Sequence, residues 1–364
     1  MNSHIFKAND IRGVYGKDFN EADFYRIIFA FLKSGVLKKD KPKIVLGYDL
    51  RESYKILTHA ARKALIDSGA KIIEIGPTTT PLFYFTVNNL KADGGIMVTA
   101  SHNPKEFNGL KIVKEKAVLI GENNGLDKIK NLVIKENINI PFFKEKNNIK
   151  RNFNKNVFTN YLDFLTRNIK INIKGKIVFD TGNGMVGMFL PKLLKKLKIN
   201  YIPLYFDVDF SFPNHESNPA KEETLKNLQK TVIKEKAMLG VAFDGDGDRI
   251  AFIDEKGNLV NSSLITVLIA KDILAKKPGS LILYSVPMSK IIPDEIEKIG
   301  GRTMKARVGH SFIKQKAMEF NSPFGGELSG HYYFTETNYC ESSFFVLIKI
   351  LEIIEREKKP FSDI

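Results

Sequence analysis

The chain has one cysteine, Cys340, in 364 residues. An internal disulfide framework is therefore excluded, and a reducing, cytoplasmic setting is expected. No apolar run is long enough to cross a bilayer, so no membrane partner is expected. The opening residues Met1-Asn2-Ser3-His4-Ile5-Phe6-Lys7 lack the apolar core of a secretory signal. There is no low-complexity segment. The formal net charge is +15, yet no stripe of arginine interleaved with aromatics accompanies it. Lysines are dispersed along helical faces instead, a pattern as consistent with compositional bias as with a binding surface. No nucleic-acid partner is expected, and a lysine-rich cleft for an anionic substrate is the better use of the charge.

What is present is material for cores. Hydrophobic residues make up 43% of the chain, and its length suits two or three domains. Apolar runs at residues 43–48, 71–75, 95–98, 176–179, 239–243, 250–253 and 281–286 end in polar or glycine-bearing loops, and helical patterns follow most of them. This alternation predicts α/β domains with mixed or mostly parallel sheets, whose ligands bind at strand ends. Residues 143–156, rich in lysine and asparagine, read as a linker, and residues 254–258 as a second. The expected division is 1–148, 149–257 and 258–364.

Three loops carry chemistry. Asp244-Gly245-Asp246-Gly247-Asp248-Arg249 follows an apolar strand. Carboxylates at alternate positions converge if the chain turns at the glycines, and hard oxygen ligands suit Mg²⁺. Two other readings compete. Glu255 completes the spacing of a calcium loop, although Arg249 stands where that loop wants glycine. A solvated acidic turn is the second. Arg249 is placed to pair with the acids or with a phosphate.

Thr99-Ala100-Ser101-His102-Asn103-Pro104 follows another strand. Pro104 favours an extended Asn103, so Ser101 is expected to face outward, able to carry a phosphoryl group near a metal. The loop lacks the G-x-S-x-G elbow of acyl hydrolases. An ordinary surface turn is the competing reading. His102 is not expected to act as a base on Ser101, because adjacent side chains rarely face one another. The third loop, Gly325-Gly326-Glu327-Leu328-Ser329-Gly330-His331, offers acceptors and donors to sugar hydroxyls, or is a plain glycine-rich turn. Arg12, Lys111 and His310 are further candidates. Asp180-Thr181-Gly182-Asn183-Gly184 opens a helix and reads as a structural turn rather than an anion site.

In this order the loops resemble the α-D-phosphohexomutase superfamily, in its bacterial phosphomannomutase/phosphoglucomutase branch. Asn9-Asp10-Ile11-Arg12-Gly13, Phe212-Pro213-Asn214-His215, Asn218-Pro219 and Val308-Gly309-His310-Ser311 also match, so the resemblance covers essentially the whole chain. It implies consecutive α/β domains with mixed sheets and active-site loops facing a shared cleft. It implies interconversion of hexose 1-phosphate and hexose 6-phosphate, of mannose or glucose, primed by a hexose 1,6-bisphosphate. Ser101 would carry the phosphoryl group, and Asp244, Asp246 and Asp248 would hold Mg²⁺ against it. Arg249 and Lys111 would stabilise phosphoryl charge, and Arg12, Lys111 or His331 would assist proton transfer. Glu327, Ser329, His310 and His102 would read the substrate. The branch often has a lysine where Pro287 stands, a role Lys290 would take. Phosphoglucosamine mutases have glutamine where Leu328 stands, which makes that activity the lesser alternative. The family's fourth domain carries an arginine- and serine/threonine-containing phosphate clamp for which this chain shows no counterpart. The resemblance therefore leaves open an impaired mutase, one completed by a fourth domain in trans, a phosphosugar-binding fragment, or a phosphoserine-dependent phosphatase. The oligomeric state is left open.

Overall fold

The computed structural model describes residues 1–135, 138 and 156–364. Residues 143–155 of the expected first linker lie outside them. Two compact units are present, Met1–Tyr161 and Leu162–Ile364.

The first unit holds one mixed sheet of six strands: β1 (Ile11–Val14), β2 (Lys43–Tyr48), β3 (Lys71–Pro77), β4 (Gly94–Val98), β5 (Phe107–Lys114) and β6 (Val118–Leu119). Their order is β1-β5-β4-β2-β3, with β6 on β5. The second unit holds two more sheets. One contains β7 (Ile177–Asp180), β8 (Tyr201–Leu204), β9 (Leu239–Phe243), β10 (Ile250–Ile253) and β11 (Leu259–Val260), in the order β11-β10-β9-β7-β8. The other contains β12 (Leu281–Ser285), β13 (Arg302–Ala306), β14 (Phe324–Gly326) and β15 (Tyr332–Phe334), in the order β13-β12-β14-β15.

One four-strand plan recurs three times. In each sheet two parallel neighbours flank a first strand, and an antiparallel strand then pairs with the last of them: β2, β3, β4 then β5; β7, β8, β9 then β10; β12, β13, β14 then β15. Every residue of β4, β9 and β12 is buried. A strand inside a parallel array is covered on both faces, so it must be apolar throughout rather than alternating. The Ser101, Asp244 and Glu327 loops occupy the same joint of the plan, between the last parallel strand and its antiparallel partner.

Helices cover the sheets by their apolar stripes. Residues Glu21–Lys33 begin with a capping box, Asn20 and Asp23 each accepting from the other's backbone N–H. That satisfies donors the first turn leaves over. Phe24, Ile28 and Phe31 from this helix meet Ile44, Leu46 and Leu57 in the core of the first unit. In the second unit Ser342 caps the helix Ser343–Glu357 by accepting from Phe345 N. Among the described residues no helix is long and apolar enough to cross a membrane.

The second expected linker is a turn. Asp254 Oδ1 accepts from Lys256 N and Asn258 N at 2.9 and 2.8 Å, closing the hairpin between β10 and β11. Aspartate mimics a backbone turn in this way.

Candidate active site

In the first unit, Ser101 lies in the loop after β4 with φ 50°, in the left-handed region that non-glycine residues rarely adopt. The expectation of an outward-facing serine is corrected, since only 1% of Ser101 is accessible. The left-handed turn folds the loop back and brings neighbouring side chains together. Ser101 Oγ and His102 Nδ1 lie 3.1 Å apart, so the two residues do face one another. Extended chain would have sent them to opposite sides.

Arg12, on β1, reaches the same loop. Its guanidinium pairs with Asp10 at 2.7 Å and donates to Asn103 Oδ1 at 2.6 Å and to Ala100 O at 3.3 Å. Lys111 is buried on β5, where Met97 of β4 stands opposite it. A residue without an assigned role in the sequence, Arg51, binds three of the loop's carbonyl groups and that of Phe107 at the start of β5.

In the second unit, Asp244, Asp246 and Asp248 are all buried, and each offers a carboxylate oxygen within 4.8 Å of the others. The solvated-turn reading is therefore excluded. The calcium-loop reading fails as well, because strands β9 and β10 flank the run and Glu255 accepts instead from Ser362 N and Oγ. Burial, then repulsion from Asp248 and Asp246, pushes the Asp244 carboxyl well above the usual carboxylate range. Three like charges in a dry loop call for a cation, and an all-carboxylate donor set fits a hard divalent ion. The loop backbone is fixed from two sides: Met185 N donates to Gly245 O at 2.8 Å, and Ser343 Oγ to Gly247 O at 2.5 Å. Met185 follows the Asp180–Gly184 turn, where Asp180 Oδ1 accepts from Gly182 N at 2.8 Å and Asp180 Oδ2 lies 3.1 Å from His215 Nε2.

The third loop joins this centre through His331. Its Nε2 is 3.2 Å from Asp248 Oδ1, and its Nδ1 is 2.8 Å from Ser329 Oγ. Burial alone would lower the imidazole pKa, but Asp248 and Glu327 outweigh it and push the value up to about 10. A protonated Nε2 donates to Asp248 and has no lone pair for Arg249, so the 3.4 Å approach of Arg249 Nε is a contact rather than a hydrogen bond. Arg249 N also donates to Asp244 Oδ1 at 3.1 Å. Glu327 accepts from Gly309 N, Tyr333 Oη and Ser329 Oγ at 3.2, 3.1 and 3.1 Å. Beside it lies a cavity of about 500 Å³ lined by Ser262, Ser285, Pro287, Val308, Glu327 and Ser329. Lys290 is exposed and does not line this cavity, whereas Pro287 does. His310 opens the helix His310–Glu319, and its side chain lies outside the described ones. A larger cavity of about 900 Å³, lined by Ile173, Met238, Lys256, Ile354 and Phe361 among others, contains none of these residues.

Comparison with known proteins agrees along the chain. Family models described as phosphoglucomutase/phosphomannomutase, alpha/beta/alpha domains I, II and III, match residues 3–139, 159–257 and 261–364. A phosphomannomutase of Methanocaldococcus jannaschii is 36% identical over 361 residues, covering 99% of this chain and 78% of that protein. A phosphomannomutase/phosphoglucomutase of Pseudomonas aeruginosa is 34% identical over 360 residues, covering 98% and 75%. A crystal structure of a phosphoglucomutase/phosphomannomutase family protein from Burkholderia thailandensis superposes with a TM-score of 0.88 at 28% identity, covering all of this chain and 79% of that one. With its three α/β domains on mixed sheets, the chain belongs to the phosphoglucomutase/phosphomannomutase family.

Proposed function

We propose that the protein is a hexose-phosphate mutase that interconverts the 1-phosphate and 6-phosphate of mannose or glucose through a phosphoserine at Ser101. The observation that carries this reading is the buried triad Asp244, Asp246 and Asp248, a donor set with little use except to hold a divalent cation against phosphate. Mg²⁺ is the ion that suits it, and when bound there it supplies Lewis-acid neutralisation of phosphoryl charge.

The chain's own residues do the rest. The phosphoryl group moves from Ser101 Oγ to the free C1 or C6 hydroxyl of the sugar. The Ser–O–P bond breaks as the sugar–O–P bond forms, and a hexose 1,6-bisphosphate results. Lys111 is the candidate to take the hydroxyl's proton, and His331, held protonated by Asp248 and Glu327, is the candidate to give one back. The bisphosphate turns over and returns its other phosphoryl group to Ser101. Arg249 and Lys111 stabilise the transferring charge, the task on which such catalysis rests. Arg12 holds the Ser101 loop and, as a guanidinium, stays charged throughout. Glu327 and Ser329 accept from and donate to the sugar's hydroxyls.

The test is conversion of mannose 1-phosphate to mannose 6-phosphate by the protein with Mg²⁺ and trace hexose 1,6-bisphosphate. Activity lost on chelation and in Ser101→Ala is expected. Turnover that survives in Ser101→Ala would remove the phosphoserine from the reading, and no turnover of either hexose phosphate would remove the reading itself.

A further inference from the structure

Arg51 is a cation buried with 0% of its side chain accessible, paired at 3.2 Å with an equally buried Asp49. All five guanidinium N–H donors have acceptors. Nε donates to Asp49 Oδ2, Nη1 to Pro104 O at 2.7 Å and Phe107 O at 3.0 Å, and Nη2 to Ser101 O at 2.7 Å and Asn103 O at 2.8 Å. A planar fork with five donors is the one side chain that can bind carbonyls in this arrangement. The other side of Ser101 leads to the same carboxylate. Ser101 N donates to Thr99 Oγ1 at 2.9 Å, and Thr99 Oγ1 donates to Asp49 Oδ2 at 2.6 Å.

The N–H and the C=O of Ser101 are therefore both tied back to Asp49, one through Thr99 and one through Arg51. Between them lies the φ of 50°. A non-glycine residue persists in that region only where its surroundings over-determine it.

We propose that Arg51, with Asp49 and Thr99, is a positioning residue that holds Ser101 in its left-handed conformation and so sets the rate of phosphoryl transfer at Ser101 Oγ. Its guanidinium is spent on backbone carbonyls and Asp49, so it works through the loop rather than on the phosphate. The inference rests on the phosphoserine reading above. Lysine in its place keeps a charge for Asp49 but presents three donors from a single point, which cannot span four carbonyls. The loop then relaxes, and a displacement of about 1 Å at a reacting atom costs on the order of 100-fold in rate.

The experiment follows label from ³²P-hexose 1,6-bisphosphate onto Ser101 in the unmodified protein, Arg51→Lys and Thr99→Val, alongside kcat and KM for the hexose phosphate. Slower labelling is expected, by about 100-fold in Arg51→Lys and about 10-fold in Thr99→Val, with kcat falling in step and KM unchanged. A role in folding alone would lower the yield of folded protein but leave the rate per folded molecule intact. Labelling of both variants at the unmodified rate overturns the inference and leaves the phosphoserine reading standing. Absence of label in the unmodified protein overturns that reading, and the inference with it. Should Arg51→Lys fail to fold, Thr99→Val alone decides, since it keeps the buried ion pair.

Discussion

A methyl group at Gly184 separates the stability of the second unit from the geometry of its carboxylate centre. Gly184 lies outside the left-handed region, so Gly184→Ala carries no backbone penalty of that kind. Its effect is contact. The new Cβ would sit 2.7 Å from Gly245 O and 2.8 Å from Gly245 Cα, where ordinary contact begins at 3.4 Å. The two segments must part by about 0.7 Å, and neither can yield by rotating a side chain, because both are backbone. Overpacking of this sort costs about 1–3 kcal/mol. The larger consequence falls on Asp244 and Asp246, which flank Gly245, because metal–ligand distances tolerate only about 0.2 Å. Displacing the support of a metal ligand weakens affinity by roughly 10- to 100-fold. Thermal or urea unfolding with and without Mg²⁺ reads this directly. At a concentration about 100 times the dissociation constant, a bound ion adds about 2.7 kcal/mol. After tenfold weakening the same concentration adds about 1.4 kcal/mol, and after hundredfold weakening about 0.4 kcal/mol. Gly69→Ala is the control. It has φ 74° and open space around the new methyl, so it loses about 1–2 kcal/mol to backbone strain but keeps the full increment from Mg²⁺. A Gly184→Ala protein that retains the full increment would refute the argument that this turn supports the metal loop.

Two further outcomes concern stability alone. Arg62 and Glu74 form a buried two-point ion pair, at 2.7 and 3.0 Å. Arg62→Met strands the Glu74 carboxylate and is expected to cost about 3–5 kcal/mol in urea unfolding, most of it recovered by adding Glu74→Leu. Equal losses in the single and double variants would show that packing, not the stranded charge, sets the cost. Burial would raise the pKa of Asp272, but Lys276 and Arg356 outweigh it and hold the carboxyl below its ordinary value. A folded-state pKa depressed in this way contributes stability above the unfolded value and loses it as pH falls through the folded one. Asp272→Asn is therefore expected to cost up to about 1 kcal/mol at pH 7, since both cations are largely exposed. The difference from the unmodified protein should shrink below about pH 4, and a constant difference down to acid pH would rule out the ion pairs as its cause.

The parts of this molecule that were legible in the sequence share a physical signature. Residues 95–98 and 239–243 are apolar without alternation, as strands covered on both faces must be, and small or acidic residues follow them abruptly. That contrast marks where a sheet ends and a loop begins, and it led to Ser101 and to Asp244. What it could not convey is that three sheets repeat one plan, because pairing order depends on contacts far apart in the chain. The conformation of Ser101 was hidden for a related reason. Nothing local forces a serine into the left-handed region, and the acceptors and donors that hold it come from Asp49, Arg51 and Thr99. The role of Arg51 leaves no trace in the sequence because most of its partners are backbone carbonyls, which every residue carries and no pattern records. Asp244, Asp246 and Asp248 could be found because three acids at alternate positions have few reasons to exist except a cation. A polar residue that serves a ligand leaves a trace in the company it keeps, whereas one that serves the backbone, as Arg51 does, becomes visible only when the fold shows which carbonyls it must satisfy.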